Sequence, residues 1–374
     1  MQVYDLCLHE NVTAGESIMD IQWMKYALKL ARKGVGRTHP NPRVGAVVVQ
    51  DGRMIGQGWH QCAGEAHAEV HALADAGVAA KGATIYVTLE PCSGFGRTPP
   101  CTQAILDTGI QRVVFASYDP NPSMSAGAEV LKQYGLEVLG GVLEAEANAL
   151  NQAFFHYLKT DMPWVMAKAA ISLDGKLATH THQSKWITGA SARKHVHRIR
   201  AECDAIMVGA GTLREDNPSL TVRDARLRGC SPLRIVMARD TPKFSQKYQI
   251  LSDEAPSCLY VQKSNKHNKY WQAAGVDVVE VNDLQAALKD LAARGCLQLL
   301  VEGGGKLHAS LFEQQLANEL VLYQAPILIG GVDAVNLWHG LGIAHMSEAV
   351  HLADVKRKKM GEDMMIRGRL IYHH

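Results

Sequence analysis

The chain has 374 residues, 47% of them hydrophobic and 20% charged, with a formal net charge of +2. That length exceeds the usual single core and predicts two domains. The near-neutral balance argues against a nucleic-acid groove or an anionic membrane surface as partner. No apolar stretch reaches spanning length. The opening MQVYDLCLHE lacks the basic and apolar regions of a signal peptide. Eight cysteines without a paired framework suit a reducing, cytoplasmic setting.

Residues 1–18 show no clear periodicity and read as a loosely held extension. An amphipathic helix then begins at Met19-Asp20, with Asp20 expected as its cap. Arg43 to Val49 and Met54 to Trp59 read as strands, and Asp51-Gly52 between them is a strong hairpin signal. His67 opens a helix over AHAEVHALADAG. Thr84 to Leu89 (TIYVTL) is a short β-branched run, a buried strand that delivers Glu90-Pro91-Cys92 at its end. Pro99 and Pro100 suit the turn into a second helix, which Cys101 opens and Gly109 stops. RVVFASY, a helix near Ala126–Tyr134, and LEVLGGV continue the alternation of a three-layer α/β unit. A helix over Glu144–Leu158 closes it, and Thr160-Asp161-Met162-Pro163 is the expected boundary.

The second region restarts with the strand WVMAKAAISL and a hairpin-type turn at Asp174-Gly175, where Asp174 needs no role beyond the turn. DAIMVGA, LRIVMA, SCLYV and VDVVEV follow as short strands. NDLQAALKDLAARG reads as a helix with Asn282 as cap and Gly295 as stop. Next come a strand, Gly303-Gly304-Gly305, and a helix. Glycines at such a junction let backbone N–H groups approach a phosphate. The full dinucleotide fingerprint GxGxxG is absent.

The chemistry is clearest in the first region. His67-Ala68-Glu69, Pro91-Cys92 and Cys101 offer one imidazole and two thiols, enough to hold zinc and leave a fourth position open. Glu69 is of the right type to move protons. His-x-Glu with Pro-Cys-x-x-Cys marks zinc deaminases acting on amino-substituted bases, but here eight residues, not two, separate the cysteines. A cysteine at a helix start favours the thiolate. Residues two apart diverge inside a helix, so His67 and Glu69 can share a site only at its entrance. His71 has the spacing of a zinc-protease helix without that motif's glutamate, and reads as a packed or hydrogen-bonded helix histidine.

Together these segments resemble the bifunctional deaminase–reductase family of riboflavin biosynthesis, from about residue 20 to the end. The phrases that carry the resemblance are THPNPRVGAVVV, GWHQCAGEAHAEVHAL and YVTLEPCSGFGRTPPC, then AKAAISLDGKLAT, SKWITG, GAGTLREDNPSLTVR and VEGGGKLHASL. The resemblance implies a cytidine-deaminase-like domain over residues 19–160 and a dihydrofolate-reductase-like domain over residues 161–374. The first would hydrolyse the 2-amino group of a diaminopyrimidinone carrying a ribosylamino 5′-phosphate. The second would use NADPH to reduce the ribosyl group to ribityl.

It also assigns residues. His67, Cys92 and Cys101 would bind Zn2+, Glu69 would shuttle the proton, and Asn41 and His60 would hold the pyrimidine. Ala170, Trp186, Thr212 and Asp216 would contact NADPH with the turn at Gly304 and Gly305. Ser184, Arg200, Leu220, Arg223 and Glu302 match substrate positions, and Lys168 lies on the strand beside them. Arg200 and Arg223 are the expected grip on the 5′-phosphate, since guanidinium groups bind phosphate bidentately. The family further implies a homo-oligomer assembled through the reductase.

Two departures stand out. Gly94 occupies a place where the family commonly has histidine. Arg239 follows LRIVMA where a small hydroxyl residue is usual; it is a candidate for the ribose 2′-phosphate of NADPH. One rival reading is a nucleic-acid-editing deaminase with an appended domain. It requires a basic stripe with interleaved aromatics, against 6% aromatic residues. The other is a cofactor-binding regulator with a degenerate reductase half, which intact Lys168, Arg200, Arg223 and Glu302 oppose.

Overall fold

The computed structural model describes residues 17–95, 99–227 and 229–373. Of the extension expected over residues 1–18, residues 1–16 lie outside them. The chain divides into two compact units between Leu158 and Lys159.

In the first unit, β1 (Gly45–Gln50), β2 (Arg53–Trp59), β3 (Thr84–Leu89), β4 (Arg112–Ser117) and β5 (Glu137–Gly140) form one sheet. Its order is β2-β1-β3-β4-β5. β1 runs antiparallel to both neighbours, while β3, β4 and β5 are parallel. The helices are α1 (Ile18–Ala31), α2 (Ala68–Ala76), α3 (Cys101–Asp107), α4 (Gly127–Gln133), α5 (Glu144–Leu150) and α6 (Gln152–Thr160). Met24 and Leu28 of α1 and Ala147 of α5 pack with Val47, Tyr86 and Val114. Ala72 of α2, Ile105 of α3 and Leu131 of α4 pack with Val48, Ile85 and Val113 on the opposite face. Alternate residues of each strand thus feed two cores, which is why these strands read as unbroken apolar runs. At Gly56 and Gly58 of β2 a Cβ would overlap the Ala72 and Ala68 carbonyls. The glycines let α2 lie directly on β2, and that sets the position of the α2 amino end.

Two expectations need correction here. Ser17, not Asp20, caps α1: the Asp20 N–H donates to Ser17 Oγ at 3.0 Å, and the Asp20 carboxylate accepts from the Ser17 N–H at 3.2 Å. This is a capping box with Asp20 in the first turn. The helix expected over Glu144–Leu158 is broken at Asn151. That side chain accepts from the Arg43 N–H at 2.8 Å and donates to the Arg43 carbonyl at 3.0 Å, pinning the segment that enters β1.

The second unit holds β6 (Trp164–Ile171), β7 (Lys176–Ala178), α7 (Ala190–Arg200), β8 (Ala205–Gly209), α8 (Ala210–Asp216), β9 (Leu233–Asp240) and β10 (Ser257–Lys263). It continues through α9 (Asn268–Ala273), β11 (Asp277–Glu280), α10 (Leu284–Ala293), β12 (Gln298–Val301), α11 (Gly305–Glu313) and β13 (Glu319–Gln324). β14 (Val335–Asn336), β15 (His351–Met360) and β16 (Asp363–Ile371) complete it. A nine-stranded sheet has the order β11-β10-β9-β8-β12-β6-β13-β16-β15. Pairings from β11 to β13 are all parallel, and β16 and β15 add an antiparallel edge. α10 and α11 bury Leu288, Leu291, Leu311 and Phe312 against one face. Leu213 and Trp271 lie in the core of the other.

The cap of α10 is Asp283, whose carboxylate accepts from the Ala286 N–H at 2.7 Å, and not the expected Asn282. Asp174 does more than form its turn. Its carboxylate also accepts from the Ile329 and Gly330 N–H groups at 3.1 and 2.7 Å, tying the turn to a segment 155 residues away.

Asp20 anchors the first unit. Beyond the cap, it accepts from Tyr86 Oη at 2.9 Å and from Arg112 Nη1 at 2.7 Å. Burial would raise its pKa, but Arg112, Ser17 and Tyr86 outweigh burial and bring it to about 2. A folded-state pKa below the unfolded value means that the unfolded chain binds the proton more tightly in acid. The stabilisation is full above the ordinary value of 3.8 and disappears as pH falls toward about 2. Asp20→Asn should therefore lower neutral-pH stability by roughly 2 kcal/mol and flatten the acid limb of an unfolding-versus-pH curve. Urea unfolding of both forms at pH 7 and pH 3 measures this.

Candidate active sites

The first site is assembled at three element ends. His67 is the residue before α2, Cys101 is the first residue of α3, and Cys92 lies three residues past β3. Their ligand atoms all fall within 4.8 Å of one another. His67 Nδ1 lies 3.1 Å from Cys101 Sγ and 3.6 Å from Cys92 Sγ. Tetrahedral zinc bonded at the usual Zn–N and Zn–S lengths requires N···S separations of about 3.5 Å. The donor set and spacing fit zinc with a fourth position free. Cys92 also accepts from the Cys101 N–H at 3.3 Å. Hydrogen bonds from Cys101 and His67 hold the Cys92 thiol well below its usual range, favouring the thiolate.

Glu69 is the second residue of α2, so one helix entrance presents both it and His67. The carboxyl is 4% exposed. Burial pushes its pKa upward against the pull of His67, as suits a group that takes and returns a proton. Asn41 and His60 meet near His67: Asn41 Nδ2 lies 3.1 Å from His60 Nε2, and His60 Nδ1 lies 3.1 Å from the Ala66 carbonyl. Burial lowers the His60 pKa, which leaves a neutral ring that donates through Nδ1 and accepts through Nε2. The His60 and His67 rings stand edge to face at 5.8 Å. His71 is outside the cluster.

Two residues of this site escaped the sequence reading. Glu90 is buried and accepts from the Asp119 and Ala128 N–H groups at 3.2 and 3.0 Å, fixing the loop after β4 and the start of α4 against Cys92. Burial, with Glu90 and Cys92 nearby, raises Asp119 to about 6. The signal for Glu90 was an acidic residue at the end of an otherwise apolar run; nothing local marked Asp119. Gly94 is explained by space, because a Cβ there would overlap the Ser123 carbonyl oxygen. The loop as folded excludes the histidine usual at that place.

The second site is a cavity of about 1310 Å3 in the second unit. Lys168, Ala170, Ser184, Trp186, Arg200, Thr212, Asp216, Leu220, Arg239, Glu302, Gly304 and Gly305 all line it; Arg223 does not. Glu302 follows β12. Arg200 Nε and Nη2 donate to its two oxygens at 2.6 and 3.0 Å, and Lys168 Nζ lies 3.6 Å away. Burial alone would raise the Glu302 carboxyl, yet Arg200 and Lys168 bring it to about 2. Arg200 Nη1 donates to the Thr221 carbonyl at 2.8 Å. The fork of Arg200 is thus taken by Glu302, and the expected bidentate grip of Arg200 on a phosphate is not what the structure provides.

Ser184 Oγ donates to Asp216 Oδ1 at 3.0 Å, joining two of the residues expected to contact substrate and cofactor. Trp186 is 69% exposed and stacks with Arg193 at 4.5 Å, so it is not a core residue. The amino end of α11 has no side-chain cap, and Gly304 lies beside Thr212 of α8. Unpaired N–H groups at that end suit a pyrophosphate, and the cavity is large enough for a dinucleotide with a substrate. Leu220 is buried with φ +52°.

The second unit matches the RibD C-terminal domain over residues 163–366, and residues 17–117 match the cytidine and deoxycytidylate deaminase zinc-binding region. The riboflavin biosynthesis protein RibD of Aquifex aeolicus is 42% identical over 351 residues, covering 93% of this chain and 98% of that protein. The chain belongs to the RibD family. RibD of Escherichia coli is 36% identical over 93% of this chain and 99% of its own length. The crystal structure of Acinetobacter baumannii RibD, form 1, superposes with a TM-score of 0.86 at 35% identity, covering 95% of this chain and 99% of that one. The Thermotoga maritima diaminohydroxyphosphoribosylaminopyrimidine deaminase/5-amino-6-(5-phosphoribosylamino)uracil reductase gives 0.84 at 34% identity, over 94% and 99%. The chain is therefore a bifunctional RibD enzyme of riboflavin biosynthesis: a zinc deaminase and an NADPH-dependent reductase acting on small molecules.

Proposed function

We propose that the first unit removes the 2-amino group of 2,5-diamino-6-(5-phosphoribosylamino)pyrimidin-4(3H)-one and that the second reduces the ribosyl group of the deaminated product to ribityl. The observation that carries this reading is the pair of unlike sites on one chain: a His-Cys-Cys cluster beside buried Glu69, and a separate large cavity with an uncapped helix end and a charged Lys168–Glu302–Arg200 group. Zinc, when bound by His67, Cys92 and Cys101, supplies Lewis-acid activation of water. Glu69 takes the proton of the attacking water and returns it to the departing amine. His60 and Asn41 hold the ring edge in one orientation through their mutual hydrogen bond.

In the reductase, NADPH supplies the hydride when bound. Arg200 holds Glu302 in place, Lys168 balances its charge, and Ser184 and Leu220 border the sugar. The amino end of α11 meets the pyrophosphate, while Ala170, Trp186, Thr212 and Asp216 line the cofactor's path. Arg223, exposed and beyond the cavity lining, reaches the substrate's 5′-phosphate. Near-neutral charge and few aromatics favour this small-molecule reading over nucleic-acid editing. The enzyme works in the cytoplasm as a homo-oligomer, a compartment that the absence of a paired cysteine framework in the sequence suits; among the described residues no helix is long and apolar enough to cross a membrane.

The test supplies the diaminopyrimidinone phosphate with and without NADPH and follows ammonia and NADPH absorbance separately. Ammonia should appear without NADPH, and NADPH oxidation should need prior deamination. Glu69→Gln should retain one zinc per chain, release no ammonia, and still reduce the deaminated substrate. Loss of zinc from that variant would contradict the role given to Glu69.

Arg239 is the specificity candidate for the cofactor. It is exposed at the carboxyl end of β9 and lines the cavity on the side away from β6. No other cation from β9, β10 or the start of α10 lines it among the described residues. Arg239→Ser should cut kcat/KM for NADPH about tenfold or more, the scale of one charge-assisted hydrogen bond, and leave NADH use nearly unchanged. An unaltered NADPH/NADH ratio would leave Arg239 a surface residue.

A further inference from the structure

α7 carries two side chains that reach across to the segment Ser219–Arg223, which brings Leu220 to the cavity and leaves Arg223 exposed outside its lining. Arg200 Nη1 donates to the Thr221 carbonyl at 2.8 Å, and the Arg223 N–H donates to His197 Nδ1 at 3.3 Å. The residue between the cavity and these contacts, Leu220, holds φ +52°. A leucine seldom adopts that conformation unless its surroundings impose it. The two hydrogen bonds from one helix supply such an imposition. Arg200 also fixes Glu302, so the same helix sets both the carboxylate inside the cavity and the segment that carries Leu220 and Arg223.

We infer that His197 is a positioning residue for the reductase: by accepting the Arg223 N–H it fixes where the Arg223 guanidinium meets the substrate's phosphate. The inference rests on the reading of Arg223 proposed above. His197 is 8% exposed and does not line the cavity, so it acts through Arg223 and touches neither substrate nor cofactor. Nδ1 accepts only when the ring is neutral with its proton on Nε2. Burial, aided by the positive charges of Arg200 and Arg223 and opposed by Asp224 and Glu302, lowers the His197 pKa and keeps that tautomer available. A histidine present only to fill space would contribute volume, which leucine can replace. A histidine present as an acceptor can be replaced by asparagine, whose Oδ1 falls near the place of Nδ1.

The experiment compares full-length wild type, His197→Leu, His197→Asn and Arg223→Ala in the reductase reaction with NADPH, using the deaminated substrate with and without its 5′-phosphate. One lost hydrogen bond of ordinary strength corresponds to about a two- to tenfold change in binding. His197→Leu should raise KM for the phosphorylated substrate by that factor, with kcat, KM for NADPH and KM for the dephosphorylated substrate little changed. His197→Asn should restore KM. Leucine behaving as wild type, or both variants lowering kcat and thermal stability together without rescue by asparagine, overturns the inference. If Arg223→Ala raises KM for the phosphorylated substrate while His197→Leu does not, the phosphate reading stands and only the role of His197 falls. If Arg223→Ala has no effect, both fall.

Discussion

A parallel strand followed by a helix leaves the strand's carboxyl end and the helix's amino end side by side, with backbone N–H groups that the helix cannot satisfy itself. Both sites in this chain are built on that constraint. β3 leads through Cys92 to α3, which Cys101 opens, and β12 leads through Glu302 and the glycine turn to α11. α2, α3, α8 and α11 meet the sites with amino ends that carry no side-chain cap, while α10, which Asp283 caps, also borders the cavity. Backbone N–H groups at these ends meet the Cys92 thiol in one unit, where the Cys101 N–H donates to it, and border the cavity in the other. Both sheets serve mainly to hold those ends at fixed spacing.

The same side-chain type is tuned in opposite directions in the two units. Glu69 and Glu302 are both glutamates withdrawn from water, and burial pushes each toward the neutral acid. At Glu302 two cations within reach overcome that push, and the group stays ionised. At Glu69 burial wins, and the carboxyl titrates higher. A carboxylate held ionised suits electrostatic work, and one whose affinity for a proton is raised suits proton transfer.

The sequence disclosed these sites unevenly. Strands such as TIYVTL were legible because both faces are buried, and so the apolar pattern is unbroken. The zinc ligands were legible because the metal demands particular atoms, and His67, Cys92 and Cys101 do converge. Helix ends were less so: Ser17 and Asp283 took the caps assigned to Asp20 and Asn282, one to three residues away, because several short polar residues compete for each end. The break at Asn151 could not be read locally, since its cause is Arg43, 108 residues away. For the same reason the fork of Arg200 on Glu302, 102 residues distant, and the hold of Glu90 on Asp119 and Ala128 emerged only from the fold. Motifs give the atoms that touch a ligand; the groups that aim those atoms are set by tertiary contacts.

The central claim is that each unit builds a complete site from its own residues. The most direct measurement divides the chain at the end of α6. A fragment of residues 17–160 keeps Ser17, the whole first sheet and all of α6; residues 161–374 keep the second sheet and its cavity. The account predicts that the first fragment binds one zinc and releases ammonia from the diaminopyrimidinone phosphate. It predicts that the second binds NADPH and reduces the deaminated product with no zinc present. Two folded fragments that regain either activity only when mixed would contradict it.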